Sequence, residues 1–314
     1  FSTWNDAIDL YVKGILSTVD TNSIKKCHFS LVLDCGNGVG SLVAPLILKK
    51  LGCRVTELNC ELDGTFPGRN SEPVPENLTA LMQNVPEAGA SLGVGLDGDA
   101  DRAIFIDENG TYIWGDKSLS LVGKYITREK KGGLTVTPVT TSTCFEDVIR
   151  QNEGSVLYTK VGSPIVARVM MEKHAVFGGE ENGGLIFPEF QYCRDSAMSL
   201  VKILEILAKE QRSLSELIAE IPAYEMLKTK IVCPNEKKER VMTQVIEQMK
   251  QSKDVVTIDR TDGVKLYMKA GWVLMRPSGT EPIFRVYVES KEKQSAEQLT
   301  RFYKNLVESL IQHA

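Results

Sequence analysis

Apolar and polar positions along this chain are arranged in blocks that predict strands and helices in turn. Short apolar runs such as residues 29–34 and 103–106 are typical of buried strands, because a strand covered on both faces needs few polar positions. Longer stretches between them repeat apolar residues with a helical period. This alternation predicts an α/β fold, in which helices cover the faces of a sheet.

In the first part of the chain, the pattern predicts a helix near residues 4–12 and a second helix over 41–51, followed by a strand over 54–58. Further along, four more helices are predicted, at residues 116–130, 142–151, 164–173 and 196–210. Pro164 suits the first turn of a helix, and Ser163 is predicted to cap it.

The pattern changes from residue 227 onward, where more strands alternate with fewer helices. It predicts a strand, a helix over 236–251, a hairpin near 264–276, a strand over 283–289 and a helix over 293–312. A small α+β domain is expected here, joined through residues 223–228. At 314 residues the chain is long for one hydrophobic core. We predict two consecutive α/β domains at 1–107 and 108–225, and the α+β domain at 226–314.

Composition excludes some function classes. The formal net charge of −4 gives no sign of a nucleic-acid or anionic-membrane partner, and no apolar run reaches the length of a membrane span. The seven cysteines form no Cys-x-x-Cys pair, and their odd number argues against a disulfide framework. We expect buried thiols in a reducing cytoplasm.

Candidate chemistry begins with three aspartates at alternate positions after an apolar run, followed by an arginine: Asp97, Asp99, Asp101 and Arg102. Neighbouring carboxylates repel one another at neutral pH, so such a cluster persists where a cation or protons neutralise it. Oxygen ligands favour magnesium over softer metals. The stretch predicts a Mg²⁺ site with a phosphate partner beside it.

Two other interpretations of this stretch are open. An EF-hand calcium loop has similar ligand spacing, with Glu108 at its twelfth position, but Arg102 stands where that loop needs glycine. An ordinary solvated acidic turn between two strands is the other. Upstream, the glycine-rich turn at 36–40 resembles a dinucleotide-binding start, although Ser41 stands where the last glycine of that motif belongs.

Two later loops carry the groups that bind phosphates and sugars. Between two predicted strands, Arg276 offers a bidentate fork, Ser278 and Thr280 offer hydroxyls, and Gly279 allows close backbone approach to an anion. In the glycine-rich run 178–184, Glu180 and Asn182 suit hydrogen bonds to sugar hydroxyls. A plain hairpin and a flexible glycine turn are the respective alternatives.

These three loops, at residues 97–102, 179–184 and 276–282, occur in the order and approximate spacing of the α-D-phosphohexomutases, and the chain resembles this family over essentially its whole length. The resemblance implies interconversion of hexose 1-phosphates and 6-phosphates with Mg²⁺ and a hexose 1,6-bisphosphate intermediate. It also implies that Lys160 lies close to the transferred phosphoryl group, where it and Arg102 balance charge.

The family's N-terminal domain carries a Ser-His-Asn-Pro type motif whose serine is phosphorylated, and this sequence contains no such motif. We therefore expect domains two to four, with the missing N-terminal domain as a partner and with no activity of this chain alone. The resemblance leaves the hexose and the oligomeric state open, and Asn182 stands where many relatives have serine. A phosphosugar-binding module, and a metal-dependent phosphatase with Asp97 as nucleophile, are the alternative functions.

Overall fold

The computed structural model of the chain describes residues 6–250 and 252–313. These residues form two compact units. The first contains the chain up to Thr137 together with Cys144–Leu157 and Gly162–Pro222. The second contains Pro138–Thr143, Tyr158–Val161 and the chain from Ala223 onward. Within these described residues, no helix combines the length and the apolar character that crossing a membrane requires.

The first unit begins with a five-stranded sheet in the order β2-β1-β3-β4-β5. Its strands are β1 (Ser30–Asp34), β2 (Arg54–Leu58), β3 (Leu92–Leu96), β4 (Ala103–Ile106) and β5 (Tyr112–Ile113). β1 pairs in parallel with β2 and β3, whereas β3, β4 and β5 form an antiparallel meander. Its helices are α1 (Ala7–Leu16), α2 (Thr21–Cys27), α3 (Ala44–Lys50) and α4 (Thr79–Glu87).

A second five-stranded sheet follows, in the order β10-β9-β8-β6-β7. Its strands are β6 (Gly133–Pro138), β7 (Gly154–Thr159), β8 (Phe177–Gly179), β9 (Leu185–Phe187) and β10 (Gln191–Arg194). The helices of this part are α5 (Gly115–Lys130), α6 (Thr143–Gln151), α7 (Ser163–Lys173), α8 (Ser196–Glu210) and α9 (Leu214–Ala219). Residues 196–208 of α8 are all buried, because this helix contacts both β4 of the first sheet and β9 of the second.

The second unit has an antiparallel sheet in the order β11-β15-β14-β13-β12. Its strands are β11 (Glu225–Val232), β12 (Val255–Asp259), β13 (Val264–Met268), β14 (Gly271–Pro277) and β15 (Ile283–Ser290), and its helices are α10 (Lys238–Met249) and α11 (Lys293–His313). A separate apolar core lies among the sheet and these two helices. The buried Lys265 donates from Nζ to the carbonyl of Val139 at 2.7 Å, which attaches residues 138–143 to this sheet.

Most predicted elements are confirmed: α5 to α8 match their predicted bounds to within one residue, and two α/β parts precede an α+β part. The helix expected over 41–51 is wrong at its start. Val39–Leu42 forms a 3₁₀ turn instead, because Val43 leaves the helical region and α3 begins only at Ala44. The helix expected over 236–251 likewise begins at Lys238, after a 3₁₀ turn.

Three smaller expectations are wrong. Ser163 does not cap α7; Gly162 is the N-cap, with φ of +133°, a conformation that favours glycine, and Ser163 is already helical. The connection expected at 223–228 is largely strand, since β11 begins at Glu225. The expectation of buried thiols holds for Cys35, Cys144 and Cys233, whereas Cys27, Cys53 and Cys60 are half-buried and Cys193 is exposed. The helix expected at 4–12 is present from Ala7, and its first two predicted residues lie outside the described residues.

Candidate active site

The metal loop, residues 97–102, connects β3 to β4 as a tight turn. Asp97 N donates to the carbonyl of Arg102 at 3.3 Å, and Ala100 N donates to the carbonyl of Asp97 at 3.2 Å. One carboxylate oxygen each from Asp97, Asp99 and Asp101 lies within 4.8 Å of the others. The loop therefore gathers the three predicted metal ligands at the end of a buried strand, where α/β sheets place ligands.

Two neighbouring segments fix this loop. The carbonyl of Ala100 accepts hydrogen bonds from the backbone and the hydroxyl of Ser196, at the start of α8, at 3.2 and 2.6 Å. The glycine turn at 36–40 packs against the other side: a Cβ on Gly38 would lie 2.5 Å from the carbonyl oxygen of Gly98. A Cβ on Gly36 would lie 2.8 Å from the guanidinium of Arg69 and a Cβ on Gly40 would lie 2.6 Å from Cδ1 of Leu96, so packing accounts for each glycine of the turn without a nucleotide.

Asp97 is the buried member of the cluster, and Arg102 contacts both of its oxygens. The backbone N of Arg102 donates to Oδ1 at 3.1 Å, and its Nε donates to Oδ2. Burial raises the pKa of the Asp97 carboxyl to about 6, although Arg102 acts in the opposite direction. Arg102 also donates to Glu72, which lowers the pKa of that carboxyl.

Asp101 is tied to the sugar loop, residues 179–184, through an arginine that the sequence analysis missed. Arg194 contacts Asp101 through Nη2 and Glu180 through Nη1, the latter at 2.7 Å. The other oxygen of Glu180 accepts from the backbone N of Gly162 at 3.1 Å, and burial raises the pKa of its carboxyl. The metal and sugar loops therefore share one ion-pair network.

The glycines of the sugar loop make this network possible. A Cβ on Gly184 would lie 2.2 Å from Cδ of Arg194, so only glycine leaves room for that side chain. The carbonyl of Gly183 accepts from the backbone N of Ala103 at 3.1 Å, which joins the loop to the start of β4. Asn182 is exposed, and its Oδ1 accepts from Gly184 N at 3.2 Å.

A second arginine that the sequence motifs do not indicate, Arg69, supports the residue before the metal loop. Arg69 pairs with the buried carboxylate of Asp34 at 3.0 Å, and its Nη2 donates to the carbonyl of Leu96 at 2.6 Å. Leu96 directly precedes Asp97. Neither Arg69 nor Arg194 lies in a recognisable motif; the only sequence signal for Arg194 is its place immediately before Asp195, which caps α8.

The geometry argues against both alternative interpretations of the metal loop, the EF-hand and the solvated turn. The EF-hand interpretation is wrong, because the carboxylate of Glu108 bonds the hydroxyl of Ser215 instead of facing the aspartates. The solvated-turn interpretation does not account for Asp97, which is 1% exposed, nor for the buried Oδ1 of Asp101. Among the described residues this oxygen accepts no hydrogen bond, although Arg102 Nε lies 3.5 Å away.

In the second unit, the phosphate loop, residues 276–282, connects β14 to β15. Ser278 is buried, and its Oγ accepts from the backbone N of Thr280 at 3.4 Å and of Glu281 at 3.2 Å. Lys238 closes the loop by donating to the carbonyls of Ser278 and Glu281, each at 2.6 Å. Gly279 and Thr280 remain exposed at the tip, where they are open to an anion.

Asp262 connects the predicted phosphate arginine to the segment that carries Lys160. Its Oδ2 lies 3.2 Å from Nε of Arg276 and accepts from the backbone N of Val161 at 3.1 Å. The turn that carries Asp262 can pack against β14 because Gly263 follows it. Gly263 has φ of +78°, and a Cβ there would lie 2.4 Å from the carbonyl oxygen of Met275. Lys160 is exposed next to this contact.

Comparison with known protein families matches the chain to one family. Three family models cover the chain: phosphoglucomutase/phosphomannomutase α/β/α domain II over residues 9–110, α/β/α domain III over 114–224 and the C-terminal domain over 229–303. The chain belongs to the phosphoglucomutase/phosphomannomutase family. The family expected from the three loops is thereby confirmed.

Individual members of this family are similar over nearly the whole chain. A phosphoglucomutase/phosphomannomutase of Thermococcus kodakarensis is 45% identical over 98% of this chain and 66% of its own length. A probable phosphoglucosamine mutase of Methanopyrus kandleri is 40% identical over 98% of this chain and 67% of its own. The chain thus spans about two thirds of the length of these relatives.

A solved phosphoglucomutase/phosphomannomutase family protein of Burkholderia thailandensis has the same fold. It superposes with a TM-score of 0.85 at 23% identity, over 96% of this chain and 64% of that one. The predicted fold class, two α/β domains of the phosphohexomutase type and a C-terminal α+β domain, is confirmed.

Proposed function

We propose that this chain is the metal- and substrate-binding part of a phosphohexomutase, which interconverts hexose 1-phosphates and 6-phosphates. The observation that carries the proposal is the ion-pair network through Arg194, which joins the aspartate cluster to Glu180. A metal site joined to a loop rich in sugar-binding groups suits phosphoryl transfer to a sugar, because such transfer depends on charge neutralisation and positioning.

The donor set fits Mg²⁺. Asp97, Asp99 and Asp101 offer hard oxygen ligands, and the buried Oδ1 of Asp101 has no hydrogen bond from the described residues. The bound ion supplies charge neutralisation of the phosphoryl group. We assign Arg102 and Lys160 as the cations that balance the remaining charge. This role requires Arg102 to exchange part of its contact with Asp97 and Glu72 for substrate.

We assign the remaining residues by their chemistry. The carboxylate of Glu180 accepts hydrogen bonds from ring hydroxyls, and the amide of Asn182 both donates and accepts them. In the phosphate loop, the guanidinium of Arg276, the Ser278 and Thr280 hydroxyls and the backbone of Gly279 hold the phosphate that is not reacting. A hexose 1,6-bisphosphate forms when both positions of the sugar carry a phosphoryl group. This intermediate must then reorient in the site, so that its two phosphates exchange places between the metal loop and the phosphate loop.

The phosphoryl donor is proposed to be a serine on an N-terminal domain. The chain spans about two thirds of the length of its relatives, and the resemblance to the phosphohexomutases implies a phosphoserine donor on a domain N-terminal to the three matched ones. The phosphatase alternative, with Asp97 as nucleophile, is disfavoured because it leaves the sugar loop and the phosphate loop without a role. We propose a cytoplasmic location, because all seven cysteines are free thiols, as is typical of proteins in a reducing compartment.

The proposal is tested by comparing the mutase activity of this chain with that of a longer form of the protein. The 314-residue chain and the full-length gene product would be assayed with Mg²⁺ and a trace of bisphosphate on the 1-phosphates of glucose, mannose and glucosamine. Mutase activity in the long form alone supports the proposal and ranks the hexoses. Equal turnover by the short chain contradicts the serine donor, and sugar-phosphate binding without turnover by either form supports a binding module instead.

A further inference from the structure

Two cysteine thiols outside the proposed active site lie in contact. Sγ of Cys35 and Sγ of Cys60 are 3.3 Å apart, and both thiols are free. Cys35 directly follows β1, and Cys60 lies two residues beyond the end of β2. Cys35 is fully buried, whereas Cys60 is half-buried and is the more exposed residue of the pair.

The backbone around the pair suits a covalent link. Two backbone hydrogen bonds hold the segments after β1 and β2 side by side, since Cys35 N donates to Leu58 O at 3.2 Å and Asn37 N to Asn59 O at 2.7 Å. A disulfide bond is about 2.05 Å long, so the two sulfurs, which are 3.3 Å apart, must approach by little more than 1 Å to form one.

The two thiols differ in acidity. This difference decides which of them reacts first with an oxidant and which then closes the disulfide. The hydrogen bond with Cys35 lowers the pKa of the Cys60 thiol, and the same contact together with burial raises the pKa of Cys35. The half-buried Cys60 is thus the sulfur that ionises first and meets an oxidant first, and Cys35 lies behind it as the resolving thiol.

We propose that Cys35 and Cys60 are a reversible oxidation site that closes to a disulfide when the protein meets a peroxide. The Cys60 thiolate attacks one peroxide oxygen, the O–O bond breaks, and the departing hydroxide takes a proton to become water. The Cys35 sulfur then attacks the Cys60 sulfenic sulfur, the S–O bond breaks, and water leaves with the Cys35 proton. Two electrons pass from the two sulfurs to the peroxide, and an external dithiol reverses the reaction.

The pair has a structural connection to the metal loop. Asn59, next to Cys60, donates to the Asp34 carboxylate at 3.1 Å, and Asp34 holds Arg69, which donates to the carbonyl of Leu96. A disulfide would tie the ends of β1 and β2 where this chain of contacts begins. It would also close a loop over residues 35–60, which restricts the unfolded chain and raises thermal stability.

Peptide mapping without reduction tests the proposal. The reduced protein is treated with hydrogen peroxide, alkylated, digested and analysed by mass spectrometry. We expect a peptide pair joined through Cys35 and Cys60 that dithiothreitol separates, and a melting temperature about 5 °C higher in the oxidised form. Cys53→Ser, which changes a half-buried thiol just before β2, should leave both results unchanged.

Cys60→Ser should abolish the joined peptide and the rise in melting temperature. If that variant does not fold, Cys35→Ala and the wild-type peptide map decide the question. The exposed Cys193 serves as an internal indicator that the oxidant reached the protein. Oxidation of Cys193 while Cys60 still reacts with the alkylating agent, or a link from Cys60 to any other cysteine, would overturn the proposal.

Discussion

Arg194 pairs with the buried carboxylate of Glu180 at 2.7 Å and, through its other terminal nitrogen, holds Asp101 of the metal loop. One guanidinium thereby sets the distance between the carboxylates of Asp101 and Glu180, which are proposed to bind metal and sugar. The planar fork of arginine suits this bridge because it reaches two carboxylates at once with fixed geometry.

Removing this bridge should disturb both loops. Arg194→Ala leaves Glu180 buried without its cation, which costs about 2 kcal/mol of stability, and it should lower kcat/KM of the proposed mutase about 100-fold. Thermal denaturation and steady-state kinetics measure the two effects. Arg194→Lys should restore part of the stability but little of the activity, since an ammonium cannot hold both carboxylates in the same geometry.

Gly184→Ala tests the same bridge from the other side. Its Cβ would collide with Cδ of Arg194, so we expect Mg²⁺ affinity to fall together with sugar-phosphate affinity, measured by titration calorimetry. Gly64→Ala is the matched control, because a Cβ at that glycine meets nothing within 4 Å. Equal affinities in the two variants would show that Arg194 does not couple the loops.

The metal assignment predicts a selective effect of carboxylate removal. Asp99→Asn should weaken Mg²⁺ binding by about tenfold or more, because an exposed ligand is lost with little change in packing. Calorimetric titration with Mg²⁺ measures it. Glu108→Gln removes a nearby carboxylate that bonds Ser215 and should leave affinity unchanged; an equal loss in both variants would point to a general charge effect.

Stability should depend on pH because the Asp97 pKa is raised to about 6 in the folded chain, from an ordinary value of 3.8. Between these values the folded state binds more protons than the unfolded state, so stability falls as pH rises through this window. The loss is at most about 3 kcal/mol without metal, at about 1.4 kcal/mol per pKa unit. Glu180, whose pKa is also raised by burial, acts in the same direction.

Melting temperatures between pH 4 and 8, with and without Mg²⁺, measure this dependence. Protons and Mg²⁺ compete for the same carboxylate, so stabilisation by the metal should grow as pH rises through about 6. Asp97→Asn should flatten the metal-free profile. A wild-type profile that is already flat would contradict the raised pKa.

Asp262 should matter for substrate affinity because it holds Arg276 and the Val161 peptide together. Asp262→Ala frees both, and we expect KM for the hexose phosphate to rise about tenfold with a smaller change in kcat. Asp262→Asn keeps an acceptor for Val161 N but removes the charge, so it should recover part of the loss. A fall in kcat with unchanged KM in Asp262→Ala would exclude a role in phosphate binding.

Much of the local structure was predictable from residue patterns. Helices α5 to α8 have long periodic stretches with clear ends, and the predicted bounds agree to within one residue. The start of α3 was not predictable from periodicity, because Val39–Leu42 repeats apolar residues as a helix does but closes 3₁₀ hydrogen bonds. Ser163 has the side chain of a helix cap, yet the positive φ of Gly162 gives that position to the glycine.

The sequence by itself determined the fold class, the family and the three loops, because carboxylates at alternate positions after a strand and glycines around polar groups are local signals. Only the tertiary structure decided how those loops are supported. Arg69, Arg194 and Asp262 lie far along the chain from some of their partners, at Leu96, Asp101 and Val161. Ion pairs and hydrogen bonds of this kind depend on which strand ends meet in space. The periodicity of the sequence carries no information about which distant residues are brought together.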